Sequence, residues 1–216
     1  ISISGLEKYT SSYVRGKLRF RKGETISFDD FGKGVNNLVA TNNFDSFLYK
    51  FSPAGDGHNF TAKATEAKNT TFIKFGVHYD QLYKSAALLN LTKKQLLLKN
   101  DVLSMDFILG DNIRYNFDYY IDKGFYWSVG VNSKYLGFKT FINPASLINE
   151  NVYPEIDEIQ MNFSEFTHQF FAETLIKKDL ALKVGIELKD LKITTNDNVF
   201  SNFFDTSEYQ IENEEF

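Results

Sequence analysis

Ile113-Arg114-Tyr115-Asn116-Phe117-Asp118-Tyr119-Tyr120-Ile121 carries a strict two-residue period. Successive side chains of an extended strand point to opposite faces. Ile113, Tyr115, Phe117, Tyr119 and Ile121 therefore share one face, and Arg114, Asn116, Asp118 and Tyr120 the other. The same two-residue period recurs on either side. Ile73, Phe75, Val77 and Tyr79 alternate with Lys74, Gly76, His78 and Asp80, and Leu103, Met105, Phe107 and Leu109 with Ser104, Asp106 and Ile108. Phe125, Trp127, Val129 and Val131 alternate with Tyr126, Ser128, Gly130 and Asn132; Leu182, Val184, Ile186 and Leu188 alternate with Lys183, Gly185 and Glu187.

This pattern predicts about seven antiparallel strands over 72–80, 83–92, 101–110, 112–122, 124–142, 157–176 and 178–193, the last two longer than strands of soluble sheets usually are. The connections sort by length. Asp122-Lys123-Gly124 and Lys177-Lys178-Asp179 are short, whereas 143–157 and 194–216 are long and polar. Tyr79, Tyr83, Tyr119, Tyr120, Phe125, Tyr126 and Trp127 gather near strand ends. Short turns at one end, long loops at the other and aromatic girdles between are the construction of a transmembrane β-barrel, with outer-membrane lipid as its partner. A soluble sandwich shows the same alternation with its apolar face turned inward, so a soluble β-rich binding or adhesion module is the alternative reading. Bacterial barrels close with an even strand number, so with seven strands either the sheet is completed by the remainder of the same barrel or it does not lie in a membrane.

The first 67 residues read differently. Ile1 and Ile3 mark a short strand. Tyr9-Thr10-Ser11-Ser12 opens a helix carrying Tyr13, Val14 and Leu18, and basic residues Arg15, Lys17, Arg19, Arg21 and Lys22 crowd its end. These five read as a solvated helix end or as a partner-binding patch. Ser27 and Asp30 form an S-x-x-D cap ahead of Phe28, Phe31, Val35 and Leu38 at helical spacing. Gly32-Lys33-Gly34 lies inside that helical pattern, not between a strand and a helix, so it is no phosphate loop. Phe47, Tyr49 and Phe51 then alternate. The turn Pro53-Ala54-Gly55-Asp56-Gly57 follows, and Phe60, Ala62 and Ala64 alternate in turn. The order is β-α-α-β-β, an α+β unit with two helices on a three-stranded sheet.

Composition narrows the function classes. Cysteine is absent, which removes disulfides and thiolate chemistry, and a net charge of −4 argues against nucleic-acid binding through a basic surface. No apolar run approaches the length of a membrane helix. His58, His78 and His168 stand on different elements without a second ligand at metal spacing, so neither a metal nor a cofactor is expected. No nucleophile–base pair can be assembled, so this segment is read as non-enzymatic. The chain starts at Ile1 without a signal peptide and is read as a processed or cut piece.

The stretch from Ile26-Ser27-Phe28-Asp29-Asp30 through Leu38 to Thr41-Asn42-Asn43-Phe44-Asp45-Ser46-Phe47 resembles a POTRA domain, the periplasmic module that precedes the barrel in outer-membrane assembly and secretion proteins. The blocks Phe75-Gly76-Val77-His78-Tyr79-Asp80-Gln81-Leu82-Tyr83-Lys84-Ser85-Ala86, Leu89-Asn90-Leu91-Thr92 and Leu109-Gly110-Asp111-Asn112-Ile113-Arg114-Tyr115 resemble the opening of the barrel in patatin-like proteins of Gram-negative bacteria. That barrel belongs to the BamA-type outer-membrane assembly superfamily. The resemblance runs from about Ile1 to Leu191. It implies a periplasmic domain at 1–67, barrel strands over 68–216, and a task of anchoring, translocating or displaying an attached patatin-like lipid hydrolase, or of assisting outer-membrane protein assembly. The patatin motifs G-x-S-x-G and D-G-[AG] are absent, so a parent active site would lie upstream of Ile1.

Two sets of candidate residues follow. Ser46, Leu48 and Lys50 lie on a strand whose open edge could accept an extended client peptide. Lys74, His78, Asp106, Arg114 and Asp118 would line a wet lumen, with ion pairing among Asp106, Arg114 and Asp118.

Overall fold

Thr10 and Ser27 start the two helices. The Thr10 hydroxyl accepts the Tyr13 N–H at 3.2 Å and opens α1 (Ser11–Leu18); the Ser27 hydroxyl accepts the Asp30 N–H at 3.1 Å and opens α2 (Phe28–Ala40). In the computed structural model, which describes residues 1–81, 84–143, 158–177, 180–195 and 208–213, these helices lie between β1 (Ser2–Ser4) and the hairpin of β2 (Phe44–Ala54) and β3 (Gly57–Glu66). The sheet order is β1-β3-β2, with β1 parallel and β2 antiparallel to β3. The hairpin loop has two residues, Gly55 and Asp56, and Gly55 supplies the positive φ of 58° that such a turn requires.

One core serves this unit. Tyr9, Tyr13, Val14, Leu18, Phe20, Phe31, Leu38, Phe60 and Ala62 bury together. Phe31 is its hub, with the rings of Tyr49, Phe51 and Phe60 at 4.9, 5.1 and 5.7 Å, separations at which aromatic pairs add to simple area burial. Burial pushes the Tyr9 hydroxyl up to about 12 and raises that of Tyr13, which stays protonated and accepts the Asn43 side-chain N–H at 2.7 Å. Phe28 departs from expectation: it is 81% exposed, and the buried stripe of α2 starts one turn later at Phe31.

The second sheet runs in strict neighbour order: β4 (Thr71–Asp80), β5 (Lys84–Lys94), β6 (Asp101–Gly110), β7 (Arg114–Ile121), β8 (Ser128–Ile142), β9 (Ile159–Lys177), β10 (Leu180–Thr195) and β11 (Glu208–Asn213), every adjacent pair antiparallel. Three expectations need correction. A strand occupies 208–213, within a stretch read as a polar loop, because pairing with Lys189–Thr194 of β10 supplies what its own composition does not. Phe125 to Trp127 belong to the β7–β8 turn, not to the following strand. Tyr120 stacks on Phe171 at 6.0 Å, on the face opposite Tyr119, as alternation requires, so it leaves the proposed girdle. Tyr83, Lys178-Asp179, most of the 143–157 loop and 196–207 lie outside the described residues.

Register decides between barrel and sandwich. Ile73, Leu91, Met105, Phe117, Ser133, His168 and Leu188 form one cross-strand row on one face. On that face the apolar run covers 73–79 in β4 but 182–188 in β10. The band thus slides by three rows, or six residues, across six strand steps. At about 3.3 Å per residue and about 4.8 Å per strand, the strands tilt by roughly 35° against the band, within the range of membrane barrels. Nothing among the described residues covers the band: Phe75 is 81%, Val77 92% and Ile186 67% exposed. A sandwich would bury these side chains; here the sheet is a single layer whose apolar face is open.

Candidate functional site

The opposite face of the large sheet is polar. Lys74, Asn90, Asp106, Asn116, Lys134, Thr167 and Lys189 form one row, and Thr92, Ser104, Asp118, Asn132, Gln169 and Glu187 the next. Asn90 Nδ2 donates to Asp106 Oδ1 at 2.6 Å and Asn116 Nδ2 to Asp106 Oδ2 at 3.4 Å. Asn132 Nδ2 donates to Asn116 Oδ1 at 2.9 Å and to Asp118 Oδ2 at 3.3 Å. Asp106 and Asp118 are therefore linked through asparagine amides. Amides stand directly opposite both carboxylates in the register, so these are the donors they meet. Farther along, Lys189 pairs with Glu165 at 3.1 Å, and Gln169 donates to Glu187.

The five predicted lumenal residues share this face but spread over four successive rows. Asp118 lies in one, Asp106 and Lys74 in the next, Arg114 opposite Ile108 and Leu136 in the third, and His78 opposite Ala86 in the fourth. Lys74 and His78 lie on the exposed edge strand β4. The amides Asn90, Asn116, Asn132 and Gln169 were not among the candidate residues, although alternation already sets Asn116 and Asn132 on the polar face of their strands.

A second arrangement joins the small unit to one end of the large sheet. Asn100, 4% exposed in the β5–β6 turn, accepts the Thr10 N–H at 2.9 Å, donates to Thr10 Oγ1 at 3.0 Å, and donates its own N–H to the Lys8 carbonyl at 3.3 Å. The cap of α1 is thus held by the large sheet. Glu66, at the end of β3, accepts the N–H groups of Glu7, Lys8 and Tyr9 at 2.9 to 3.0 Å and fixes the approach to that cap. Lys17 Nζ lies 2.6 Å from Asp122, and the Arg21 guanidinium sits 4.8 Å from the Phe125 ring centroid. Lys94 reaches the Thr41 carbonyl at 2.8 Å and Asn43 Oδ1 at 2.6 Å. So the crowded basic helix end is partly engaged with the chain's own β7–β8 turn. A cleft of about 390 Å³ remains between α1, α2 and the ends of β7 and β9, with Lys17, Arg19, Asp122 and Glu173 among its walls.

The third surface is β2, which pairs only with β3 and leaves one edge open among the described residues. The two-residue loop makes Ala54 and Gly57 a mutually hydrogen-bonded pair, because the alternative pairing would need a bond inside the loop. Counting back by twos, the backbone groups of Ser46, Leu48 and Lys50 point to β3, and those of Phe47, Tyr49 and Phe51 point to the open edge. Pro53 falls on the outward parity, where its missing N–H removes no ladder bond. Ser46, Leu48 and Lys50 lie on this strand with their backbone groups turned to β3. Leu48 is 67% exposed there.

Among the described residues no group of His, Asp and Glu side chains could hold a metal ion. A family model described as the OMP85 superfamily matches residues 58–216. No curated protein matches the chain. Solved structures that share its fold include BamA from Haemophilus ducreyi lacking POTRA domains 1–3 (TM-score 0.58, 17% identity, 97% of this chain and 40% of that one) and CdiB from Acinetobacter baumannii (TM-score 0.55, 14% identity, 91% and 38%). The chain therefore spans about 40% of the length of the solved structures it matches.

Proposed function

The chain belongs to the OMP85 superfamily and is a bacterial outer-membrane protein, and from this premise we propose that it moves or inserts polypeptide at that membrane. In this reading residues 1–67 form a periplasmic POTRA-type domain that presents clients, and 68–216 contribute eight strands to a barrel completed by the rest of the polypeptide. The observation that carries it is the tilted apolar band on a single-layer sheet, backed by a polar, amide-lined face. The β-α-α-β-β order of the first 66 residues and the open edge of β2 support the domain assignment. A soluble binding module would have to cover the apolar band, and no described element does so. The finer reading, a barrel serving an attached patatin-like lipid hydrolase, rests on the sequence blocks at 75–86, 89–92 and 109–115.

An extended client joining β2 would bond to the outward backbone groups of residues 47, 49 and 51. Tyr49→Pro removes one outward N–H and leaves the β3 ladder whole, so crosslinking of unfolded client to a photoreactive residue at Lys50 is expected to fall severalfold. Tyr49→Ala, which loses the same ring but keeps the N–H, should crosslink nearly as well as the parent. Equal crosslinking in the two variants would remove strand addition from the account.

A further inference from the structure

The β5–β6 turn, Gln95 to Asn100, holds three leucines in the open: Leu96, Leu97 and Leu98 are 44%, 75% and 56% exposed. A chance exposure would come with a loose turn, but this one is built. Asp101 is 0% exposed, and its carboxylate accepts the N–H groups of Leu96, Leu97 and Leu98 at 2.7, 2.8 and 2.7 Å and the Tyr119 hydroxyl at 2.7 Å. Consecutive amides wrapped on one oxygen pair fix the backbone, so the three side chains are held outward.

The side of the sheet to which the turn folds is set by parity. Asp101 and Tyr119 both belong to the face of Leu103, Met105 and Phe117, the apolar one. Capture of Leu96–Leu98 by the Asp101 side chain therefore draws the turn onto the apolar side, next to the margin of the band at Leu103 and Tyr119. Lys99 follows the leucines directly, a long cationic side chain suited to phosphate at a membrane surface, while Lys93 before the turn donates to the Thr70 and Thr71 hydroxyls at 2.9 and 3.0 Å.

We propose that this turn is a lipid-anchoring foot: Leu96, Leu97 and Leu98 enter the headgroup–acyl boundary of the periplasmic leaflet, while neighbouring Asn100 ties the α1 cap to it. The occupant is the membrane itself, because the leucines continue the surface that the membrane reading already assigns to lipid; the proposal rests on that reading. Asn100 gives the foot a purpose, since anchoring the turn also fixes the height of the N-terminal unit below the membrane.

Single-cysteine variants of the full protein, spin-labelled at Leu97 and separately at Leu98, test this in phosphatidylethanolamine–phosphatidylglycerol vesicles. Labels at Val77, in the band, and Asp56, in the β2–β3 turn, are the references. Collision with dissolved oxygen should exceed collision with a water-soluble nickel chelate at positions 97 and 98 severalfold more than at position 56. Chelate access at 97 and 98 equal to that at 56, with 77 in lipid, overturns the foot alone. Protection from both relaxers also overturns it, since protein would then cover the leucines. A water-accessible label at 77 overturns the membrane reading beneath it.

Discussion

Asp101→Ala is expected to destabilise the vesicle-inserted protein by about 3–5 kcal/mol in denaturant unfolding, the largest loss from any single polar side chain described here. Four donors converge on this carboxylate. Removing it strands three backbone N–H groups and a tyrosine hydroxyl, and each buried unsatisfied donor costs about 1–3 kcal/mol before relaxation. The full sum is not reached, because a freed six-residue turn can turn some amides to water. Asp101→Asn should cost about 2 kcal/mol, since its carbonyl oxygen still accepts while its NH2 group faces donors. The damage should spread: Asn100 is the adjacent residue, and its bonds to Thr10 depend on the same turn geometry. A loss below about 1 kcal/mol for Asp101→Ala would mean that the turn is not organised by this side chain.

Gly16→Ala should loosen the N-terminal unit from the large sheet although it improves α1 as a helix. In a helix interior the substitution favours the folded helix by about 1 kcal/mol. At this position, however, a Cβ would lie 2.4 Å from the Gly124 Cα, a contact with backbone that no rotamer change relieves. Gly124 is tighter still: its φ is +70°, and a Cβ there would lie 2.3 Å from the Ser12 carbonyl oxygen. Overpacking and left-handed strain together give about 2–4 kcal/mol for Gly124→Ala and about 1–3 kcal/mol for Gly16→Ala. Tryptic cleavage after Lys68, in the exposed link between the two sheets, reads the undocking directly, and its rate should rise at least about fivefold in both variants, the factor equivalent to about 1 kcal/mol. Gly23→Ala is the control, because Gly23 has φ +83° but no atom within 4 Å of a built Cβ. It should leave cleavage at Lys68 unchanged. Unchanged cleavage in Gly16→Ala as well would show that the glycine contact does not hold the two units together.

The two sheets were legible in the sequence for different reasons. Alternation over Ile113–Ile121 and its counterparts is a local signal, and a β-strand enforces it whatever its partners, so faces and most strand limits could be read directly. The helices were equally local, since Ser27 caps its own third neighbour. Strand 208–213 was hidden because it carries only Tyr209 and Ile211 as apolar markers and takes its conformation from β10. The junction was hidden more deeply. Thr10 meets Asn100 across 90 residues, and Gly16 meets Gly124 across a comparable span, so neither pair leaves a periodic trace. The open edge shows a subtler limit. Sequence alternation located β2, but which residues offer backbone to a client followed only from the closing pair of the hairpin.

The polar face illustrates how charge can mislead. Asp106, Arg114 and Asp118 draw attention because they are ionisable, yet the network that joins the two aspartates is made of asparagines. In the proposed barrel this face, with amides set between its charged residues, would offer donors and acceptors together.

The most direct test uses two positions in these 216 residues, which contain no cysteine of their own, in a full protein freed of any other cysteine. Gln81→Cys, at the tip joining β4 and β5, and Asp56→Cys, in the N-terminal hairpin, are placed singly in the full protein and exposed to a membrane-impermeant maleimide on intact cells. Position 81 should be labelled in intact cells, and position 56 only after the outer membrane is permeabilised. Equal labelling of the two positions in intact cells would contradict a sheet that crosses the membrane with its N-terminal unit on the periplasmic side.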